Sequence, residues 1–379
     1  MAIQKITIQQ FLQLSAHHPV LDVRSPSEYN HAHIPNAISL PLFTDEERKV
    51  VGTAYKQQSR QQAIKIGLDY FGVKMKGMVE EVEKLLDVRC TMYDISSNIS
   101  SGVHLTSNIV LVHCWRGGMR SAAVAWLLDM YGFTVYTLVG GYKAYRNWVL
   151  QQFDMPYQFT IIGGFTGSGK TPLLIELQKQ NLPTINLEEL ANHKGSAFGY
   201  VGNQPSQEMF ENLLAEKLVV NRWSLIEKEL DETTTNHQPP TTNFYIEDES
   251  QRIGNVKIPN SVWTIMRKSQ VIFLDISFEE RLKHIVEEYG NLDKTIIIEN
   301  INRIQKRLGG LEAKNAINHI ENKDIAACFT ILLTYYDKWY LKGLNNRENL
   351  SSFLNKMPCN SVDAVENAKQ VLLCVTSNV

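Results

Sequence analysis

The stretch that most narrows what this chain can fold into runs from Phe159 to Leu177. Phe159-Thr160-Ile161-Ile162 is a short apolar run suited to a buried strand, and Leu173-Leu174-Ile175-Glu176-Leu177 suits a helix. Between them lies Gly164-Phe165-Thr166-Gly167-Ser168-Gly169-Lys170-Thr171, a glycine, four residues and then Gly-Lys-Thr. In a strand–loop–helix setting this is a P-loop, which calls for a parallel α/β sheet around it. Backbone N–H groups at Gly164, Thr166, Gly167, Ser168 and Gly169 are expected to wrap a phosphate. Lys170 would neutralise it, and Thr171 is the residue type that holds Mg²⁺. Mg²⁺ and a nucleotide both remain open from the motif. Pro172 is tolerated, because early helical positions need no N–H.

A second strand–loop–helix unit comes earlier. Ile109-Val110-Leu111-Val112 reads as a buried strand that stops at Cys114, and Ala122 to Leu128 reads as a helix. The loop between them holds Gly117 and Gly118, with Arg116 and Arg120 close by. A helix N-terminus and two cations favour a nucleophilic thiolate at Cys114 over an inert strand-end thiol. Upstream, Val20 to Arg24 reads as a strand, and Ser25 is a plausible N-cap with Pro26 in the first turn. Short strands and helices are expected to alternate as far as Val135–Val139 and Gly140–Arg146, again an α/β pattern with a parallel sheet. In such sheets the ligand sits beyond the carboxyl ends of the strands, where Cys114 falls.

The chain has 379 residues, too many for one ordinary core, so two domains are expected, 1–152 and 153–379. Hydrophobic and charged contents of 44% and 21% are those of a folded soluble protein. The formal net charge of −2 neither advertises nor excludes a nucleic-acid partner. Five scattered cysteines without metal-ligand spacing suggest a reducing compartment. With no signal-peptide pattern and no bilayer-length apolar run, the cytoplasm is the expected location. His31 and His33 alone fall short of a ligand set, and no metal site is expected there.

In the second segment, Phe244 to Glu249 reads as a strand ending in acids, with Asp248 or Glu247 near a metal or water and Arg252 as an anion contact. Asp275, ending Val271–Leu274, reads as a strand-end cap. Asn192 to Gly199 is a polar loop without an evident structural role, and Glu227 to Asn243 reads as an exposed loop. Helices are expected after Phe278. Arg303, Lys306 and Arg307 share a helix face that is either solvated or set against a phosphate backbone.

DVRSPSEYNHAHIPNA, HCWRGGMRS and VGGYKAYR, in that order, resemble a rhodanese domain, a sulfur-carrier fold with a persulfide-bearing cysteine. His113-Cys114, five residues and Arg120-Ser121 also fit the phosphate-binding signature of cysteine phosphatases. A phosphatase fused to a P-loop kinase-like domain is therefore the alternative; the upstream DVRSPSEYNHAHIPNA favours rhodanese. Across nearly the whole chain, VGTAYKQQ, HCWRGGMRS, GGYKAYR, GGFTGSGKT, HKGSAFG, EDESQRIG, EEYG and YYD occur in the order seen in the tRNA 2-selenouridine synthase family. The chain resembles that family, with Ala54, Pro172 and Lys194 as departures. The resemblance implies a rhodanese-like parallel-sheet domain followed by a P-loop NTPase-like α/β domain with a helical C-terminal part. It implies conversion of wobble 2-thiouridine in tRNA to 2-selenouridine through an S-geranyl intermediate, with geranyl diphosphate and selenophosphate as co-substrates. It also implies selenium carried or assisted by Cys114, anion orientation by Arg116 and Arg120, a family glycine at Gly67, and a P-loop that holds diphosphate.

Overall fold

Aliphatic and β-branched runs in this chain form two parallel sheets, one in each of two compact units, Met1–Gln151 and Gln152–Val379. The structure, a computed structural model, describes residues 3–97, 108–194, 202–230, 243–290 and 292–376. Most of the expected loop 227–243 and the Gly195–Gly199 part of the HKGSAFG stretch lie outside the described residues. No helix among the described residues is long and apolar enough to cross a membrane.

The first unit runs β1 (Gln4–Ile6), α1 (Ile8–Ser15), β2 (Val20–Asp22), α2 (Pro26–His31), β3 (Ile38–Ser39), α3 (Asp45–Gln57), α4 (Arg60–Gly72), α5 (Met75–Ser97), β4 (Ile109–His113), α6 (Met119–Tyr131), β5 (Thr134–Leu138) and α7 (Gly141–Gln152). Its five strands are parallel, in the order β1-β5-β4-β2-β3. The chain leaves β2 toward β3 and leaves β4 toward β5, so the strand order reverses between β2 and β4. That is where such a sheet opens a crevice at its carboxyl edge. Val110, Leu111 and Val112 are fully buried, as a central strand covered on both faces requires.

Alternation of strand and helix does not continue between β3 and β4. Three successive helices stand there instead. α3 starts with a capping box, Thr44 with Glu47, and carries Asp45, Glu46 and Glu47 in its first turn, which suits the helix dipole. α4 buries Ala63, Gly67 and Phe71, spaced at one helix face.

At the β2–β4 crevice the Arg24 guanidinium meets the Asp22 carboxylate, with Nη2 to Oδ2 at 2.6 Å and Nε to Oδ1 at 2.9 Å, and both side chains are buried. Arg24 also donates to the Ala32 carbonyl at 2.7 Å and lies 3.8 Å from the centre of the Tyr142 ring. Burial opposes ionisation of Asp22, but His113 and Arg24 outweigh it and hold the carboxyl below its ordinary range.

The second unit runs β6 (Gln158–Gly164), α8 (Lys170–Lys179), β7 (Thr184–Ile185), α9 (Leu187–Ala191), α10 (Gln207–Leu230), β8 (Asn243–Glu247), β9 (Arg252–Ile253), β10 (Val256–Lys257), α11 (Asn260–Arg267), β11 (Gln270–Ile276), α12 (Phe278–Tyr289), α13 (Lys294–Leu308), α14 (Gly310–Glu321), α15 (Ile325–Asn345), α16 (Leu350–Phe353), β12 (Leu354–Cys359) and α17 (Ala364–Thr376). The main sheet is parallel, in the order β12-β11-β6-β8-β7, with β6 at its centre. β9 and β10 pair as a small antiparallel hairpin. The helices α12 to α15 build their own apolar core around Ile297, Ile301, Phe329 and Leu332. The chain then returns to the sheet through β12, and α17 packs on α8.

Removing one partner of the buried Asp22–Arg24 pair leaves an uncompensated charge. Asp22→Ala is expected to cost the first unit about 3–5 kcal/mol in urea denaturation. A loss below about 1 kcal/mol, the worth of an exposed pair, would show that the network does not hold the crevice.

Candidate active sites

Cys114 follows the last residue of β4, and its loop is shaped by a close approach from the start of α7. Tyr142 N–H donates to the Cys114 carbonyl at 2.8 Å, and Lys143 N–H to the Trp115 carbonyl at 3.0 Å. Gly141 has φ +58°, and a Cβ there would collide with the Cys114 carbonyl and the amides of Arg116 and Gly117. The glycines of GGYKAYR thus allow two turns to touch. Among the described residues, no acceptor is found for the N–H groups of Trp115 to Gly118, which makes the loop a nest for an anion. The Cys114 thiol itself is buried, with 3% of the residue exposed, and Sγ lies 3.2 Å from Ser121 Oγ. It is a thiol at the base of the nest, rather than one projecting from its mouth.

The two flanking arginines differ. Arg116 is exposed. Arg120, expected to orient an anion, is instead bound to Glu28, Nη1 to Oε2 at 2.6 Å, and so ties α6 to α2. Burial works to raise the Glu28 pKa, but the Arg120 hydrogen bond and charge, with Ser25 N–H and Arg48, hold it at about 2. Gly67 is a mid-helix residue of α4. A Cβ there would stand 3.3 Å from Phe43 Cζ, and Phe43 belongs to the same apolar core as Cys114. His113 is fully buried, its ring pKa lowered by burial against the opposing charge of Asp22, whose Oδ2 is 3.7 Å from Nε2.

In the second unit the P-loop follows β6 and leads into α8, with a cavity of about 1090 Å³ above it. Thr166, Gly167, Ser168, Gly169, Lys170 and Thr171 all line that cavity. Gly167 has φ +81°, and a Cβ there would press on Ile285 Cγ1 at 2.7 Å, so the loop can lie against α12 only as glycine. Arg281 of α12 holds the loop by donating to the Thr166 carbonyl at 3.0 Å while paired with Asp337 of α15 at 2.9 and 2.7 Å. The Gly164 N–H is spent on Tyr340 Oη at 3.0 Å, so it is not free to wrap a phosphate as expected.

The acids divide differently from the sequence expectation. Both Asp248 oxygens are bound, Oδ1 by Arg347 at 2.5 Å and Oδ2 by the Tyr340 hydroxyl at 2.8 Å, so Asp248 braces the site instead of facing a ligand. Glu188 and Glu249 line the cavity, and Thr171 Oγ1 donates to Glu188 Oε2 at 3.1 Å. Glu247, fully buried, accepts from Glu188 N–H at 2.7 Å. Burial raises all three carboxyls against the pull of Lys170, and repulsion from Glu188 adds to it at the other two, placing Glu247 well above the ordinary value and Glu249 at about 8. Arg252 sits exposed in the β9–β10 hairpin and does not line the cavity. Arg303, Lys306 and Arg307 are exposed on α13. Asp275 is exposed near the end of β11.

Residues 157–359, more than half of the chain, match the family model described as the tRNA 2-selenouridine synthase AAA domain. The chain belongs to the tRNA 2-selenouridine synthase family. Residues 7–69 match the model of a rhodanese-like domain. Curated relatives named tRNA 2-selenouridine synthase include one from Bdellovibrio bacteriovorus, 30% identical over 87% of this chain and 89% of its own length. Another, from Hydrogenovibrio crunogenus, is 32% identical over 85% and 88%. One from Nitrosomonas europaea is 34% identical over 72% of this chain and 63% of its own length.

In this member of the tRNA 2-selenouridine synthase family, several site residues carried no isolated sequence signal. Glu249 had one, since it lies two residues from Glu247 in a run read as strand, on the same face. Tyr340, Arg347 and Arg281 come from distant elements, and only the fold brings them to the P-loop.

The raised Glu249 value has a consequence for stability. The folded state binds more protons than the unfolded one between an ordinary carboxyl value near 4.5 and about 8, so stability falls as pH rises through that window. Glu249→Gln is expected to give a shallower decline of melting temperature between about pH 5 and 8 than the native chain. Parallel profiles would show that Glu249 titrates normally.

Proposed function

We propose that this chain acts in the cytoplasm on tRNA, converting wobble 2-thiouridine to 2-selenouridine by way of S-geranyl-2-thiouridine. The observation that carries this reading is the cavity of the second unit. It joins the phosphate-binding loop to a wall that includes Trp263, Tyr289, Tyr336 and Trp339. A diphosphate fits the loop, and an isoprenoid chain fits the aromatic wall. The thiocarbonyl sulfur attacks the allylic carbon of geranyl diphosphate, the carbon–oxygen bond breaks, and diphosphate leaves. Lys170 and the loop amides stabilise the charge that develops on the leaving group.

Among the described residues no cluster of three metal-ligating side chains is found. The acids drawn in beside Thr171 nevertheless suit a cation that arrives on the diphosphate. Thr171 and Glu188 would hold Mg²⁺, which would neutralise the leaving group. A nucleotide has no step in this reading.

Selenium delivery belongs to the first unit. The selenium of selenophosphate adds to C2 of the S-geranylated base, the C2–sulfur bond breaks as geranylthiol departs, and water attacks phosphorus to break the phosphorus–selenium bond and release phosphate. Arg116 and the unpaired loop amides hold the anion beside Cys114, whose thiol assists selenophosphate in this transfer. A cysteine phosphatase would use Arg120 on its phosphate, and here Arg120 is committed to Glu28.

The test is digestion and mass spectrometry of tRNA incubated with protein, geranyl diphosphate and selenophosphate, each omitted in turn. Native protein is expected to yield 2-selenouridine, and Cys114→Ala to accumulate the S-geranyl nucleoside. Lys170→Ala is expected to lower geranylation by about 10²–10³-fold, as loss of a preorganised charge-stabilising group does. Unmodified tRNA in every lane, together with hydrolysis of an aryl phosphate, would replace this reading with the phosphatase.

A further inference from the structure

The surface around the Cys114 nest carries a second arrangement, of which the proposed chemistry uses only Arg116. Asp22, Arg24, Tyr142 and Trp115 form a column of contacts running from the core outward. The Asp22–Arg24 pair is buried, the Arg24 guanidinium lies 3.8 Å from the Tyr142 ring centre, and the Tyr142 and Trp115 rings follow at 5.7 Å with a tilt of 36°. Tyr142 is fully buried, whereas Trp115 is 38% exposed, so the column ends at the surface on an indole. A tryptophan held from behind in this way is preorganised, and little side-chain entropy remains to be lost when something stacks on it.

The charges beside that indole are also distinctive. Arg120 is occupied by Glu28, but Arg116 and Lys143 are exposed, and no ion pair is found for either among the described residues. Both lie next to Trp115. Arg116 follows it in the chain, and Lys143 N–H donates to its carbonyl at 3.0 Å. Met119, 46% exposed, begins α6 on the far side of the loop. An exposed aromatic ring flanked by unpaired cations is the arrangement by which proteins take up a splayed base and the phosphates beside it. A small selenium-bearing anion would use the cations and the loop amides but would have no use for the indole. An apolar protein partner would use the indole but would have to bury Arg116 and Lys143 unpaired.

We propose that Trp115 is the stacking platform for the nucleobase undergoing selenium exchange, and that Arg116 and Lys143 grip the adjacent single-stranded RNA phosphates. This deepens the proposed function and rests on it for the identity of the base. Trp115 is a positioning residue: it sets the base plane next to the thiol-bearing loop, and the bonds are made and broken elsewhere. The fixed column explains why an arginine is buried under this loop, since Arg24 orients the ring against which Trp115 packs.

The test uses full-length protein and an anticodon stem–loop RNA carrying S-geranyl-2-thiouridine or 2-thiouridine. RNA binding is followed by fluorescence anisotropy and by quenching of indole emission, and selenium exchange by nucleoside mass spectrometry. Trp115→Ala is expected to weaken RNA binding and raise KM by about tenfold to a hundredfold, with kcat changed far less. Trp115→Phe, which keeps a π face, is expected to restore binding to within about threefold of native. Arg116→Ala and Lys143→Ala are each expected to reduce the slope of log affinity against log salt by about 0.7. The quenching seen with native protein should be reduced in Trp115→Phe, because the reporting indole is gone.

Native affinity in Trp115→Ala would overturn the platform. So would a loss confined to kcat that Trp115→Phe does not rescue, since that describes a structural role. If native protein binds the RNA through Trp115 but exchanges no selenium, the platform stands and the proposed reaction fails. If it binds no RNA, the platform is wrong and the patch serves another partner, such as a protein, whatever the mass spectrometry shows.

Discussion

β4 and β6 each end at the carboxyl edge of a parallel sheet, run through a glycine-bearing turn and enter a helix. A helix start cannot pair its own first N–H groups, and the sheet has no further strand to offer them. Those unpaired amides, with the positive end of the helix dipole behind them, are what make each unit receptive to an anion. The turns are then held open by close approach of a second chain segment. In the first unit it is the Gly141 turn, and in the second the face of α12 carrying Ile285. Both contacts fail with any side chain at the glycine, so the anion nests depend on backbone conformation as much as on the residues lining them.

Around these nests the cations fall into two groups. Arg24, Arg281 and Arg347 each bind a carboxylate and also donate to a backbone carbonyl, of Ala32, Thr166 and Met266 respectively. A planar guanidinium with five donors can satisfy both partners, which a lysine ammonium does less well. These arginines act as fasteners with their charge already compensated: Arg281 and Arg347 bind partners distant in sequence, while Arg24 binds Asp22 and Ala32 nearby and reaches α7 only through the Tyr142 ring. Arg120 joins them through Glu28. Among the described residues, Lys170, Arg267, Arg116 and Lys143 have no carboxylate partner in hydrogen-bonding range, the first two at the P-loop cavity and the last two at the cysteine loop. Net charge therefore says little about ligand choice in this chain, because what matters is which cations are left over.

Local patterns made much of this legible. The P-loop, the strand before Cys114, the Ser25 cap of α2 and the parallel class of both sheets all follow from short-range residue order. The helical run from Asp45 to Ser97 did not, because its cap signals, the Thr44–Glu47 box and Ser59, are single local cues while the flanking strands suggested alternation. The return of β12 to the sheet edge after a set of helices was equally hidden, since a single short strand carries no periodicity beyond its own length. At the sites, the partners that a residue meets were not legible. Asp248, Arg252 and Arg120 were expected at ligands and are found bracing or exposed. Arginine and carboxylate look alike in sequence whether they meet each other or a substrate, and only tertiary contacts distinguish the cases.

The brace at Tyr340 shows how one proton orders the second site. Asp248 already accepts from Arg347, and its other oxygen faces the Tyr340 hydroxyl at 2.8 Å. A carboxylate paired with a guanidinium has no proton to give, so the hydroxyl must donate to it. The phenol oxygen is then left as an acceptor, and the Gly164 N–H fills that role at 3.0 Å. Burial and the Asp248 charge raise the Tyr340 pKa well above its ordinary value, which keeps the proton in place and the chain of donors in one direction. The first amide of the P-loop is thereby anchored to α15. The amides that follow it are left for an anion, and burial raises the pKa values of the neighbouring acids. Glu249, at about 8, is protonated at neutral pH, so this carboxyl, which lines the cavity beside the loop, is a hydrogen-bond donor rather than a second negative charge next to Glu188.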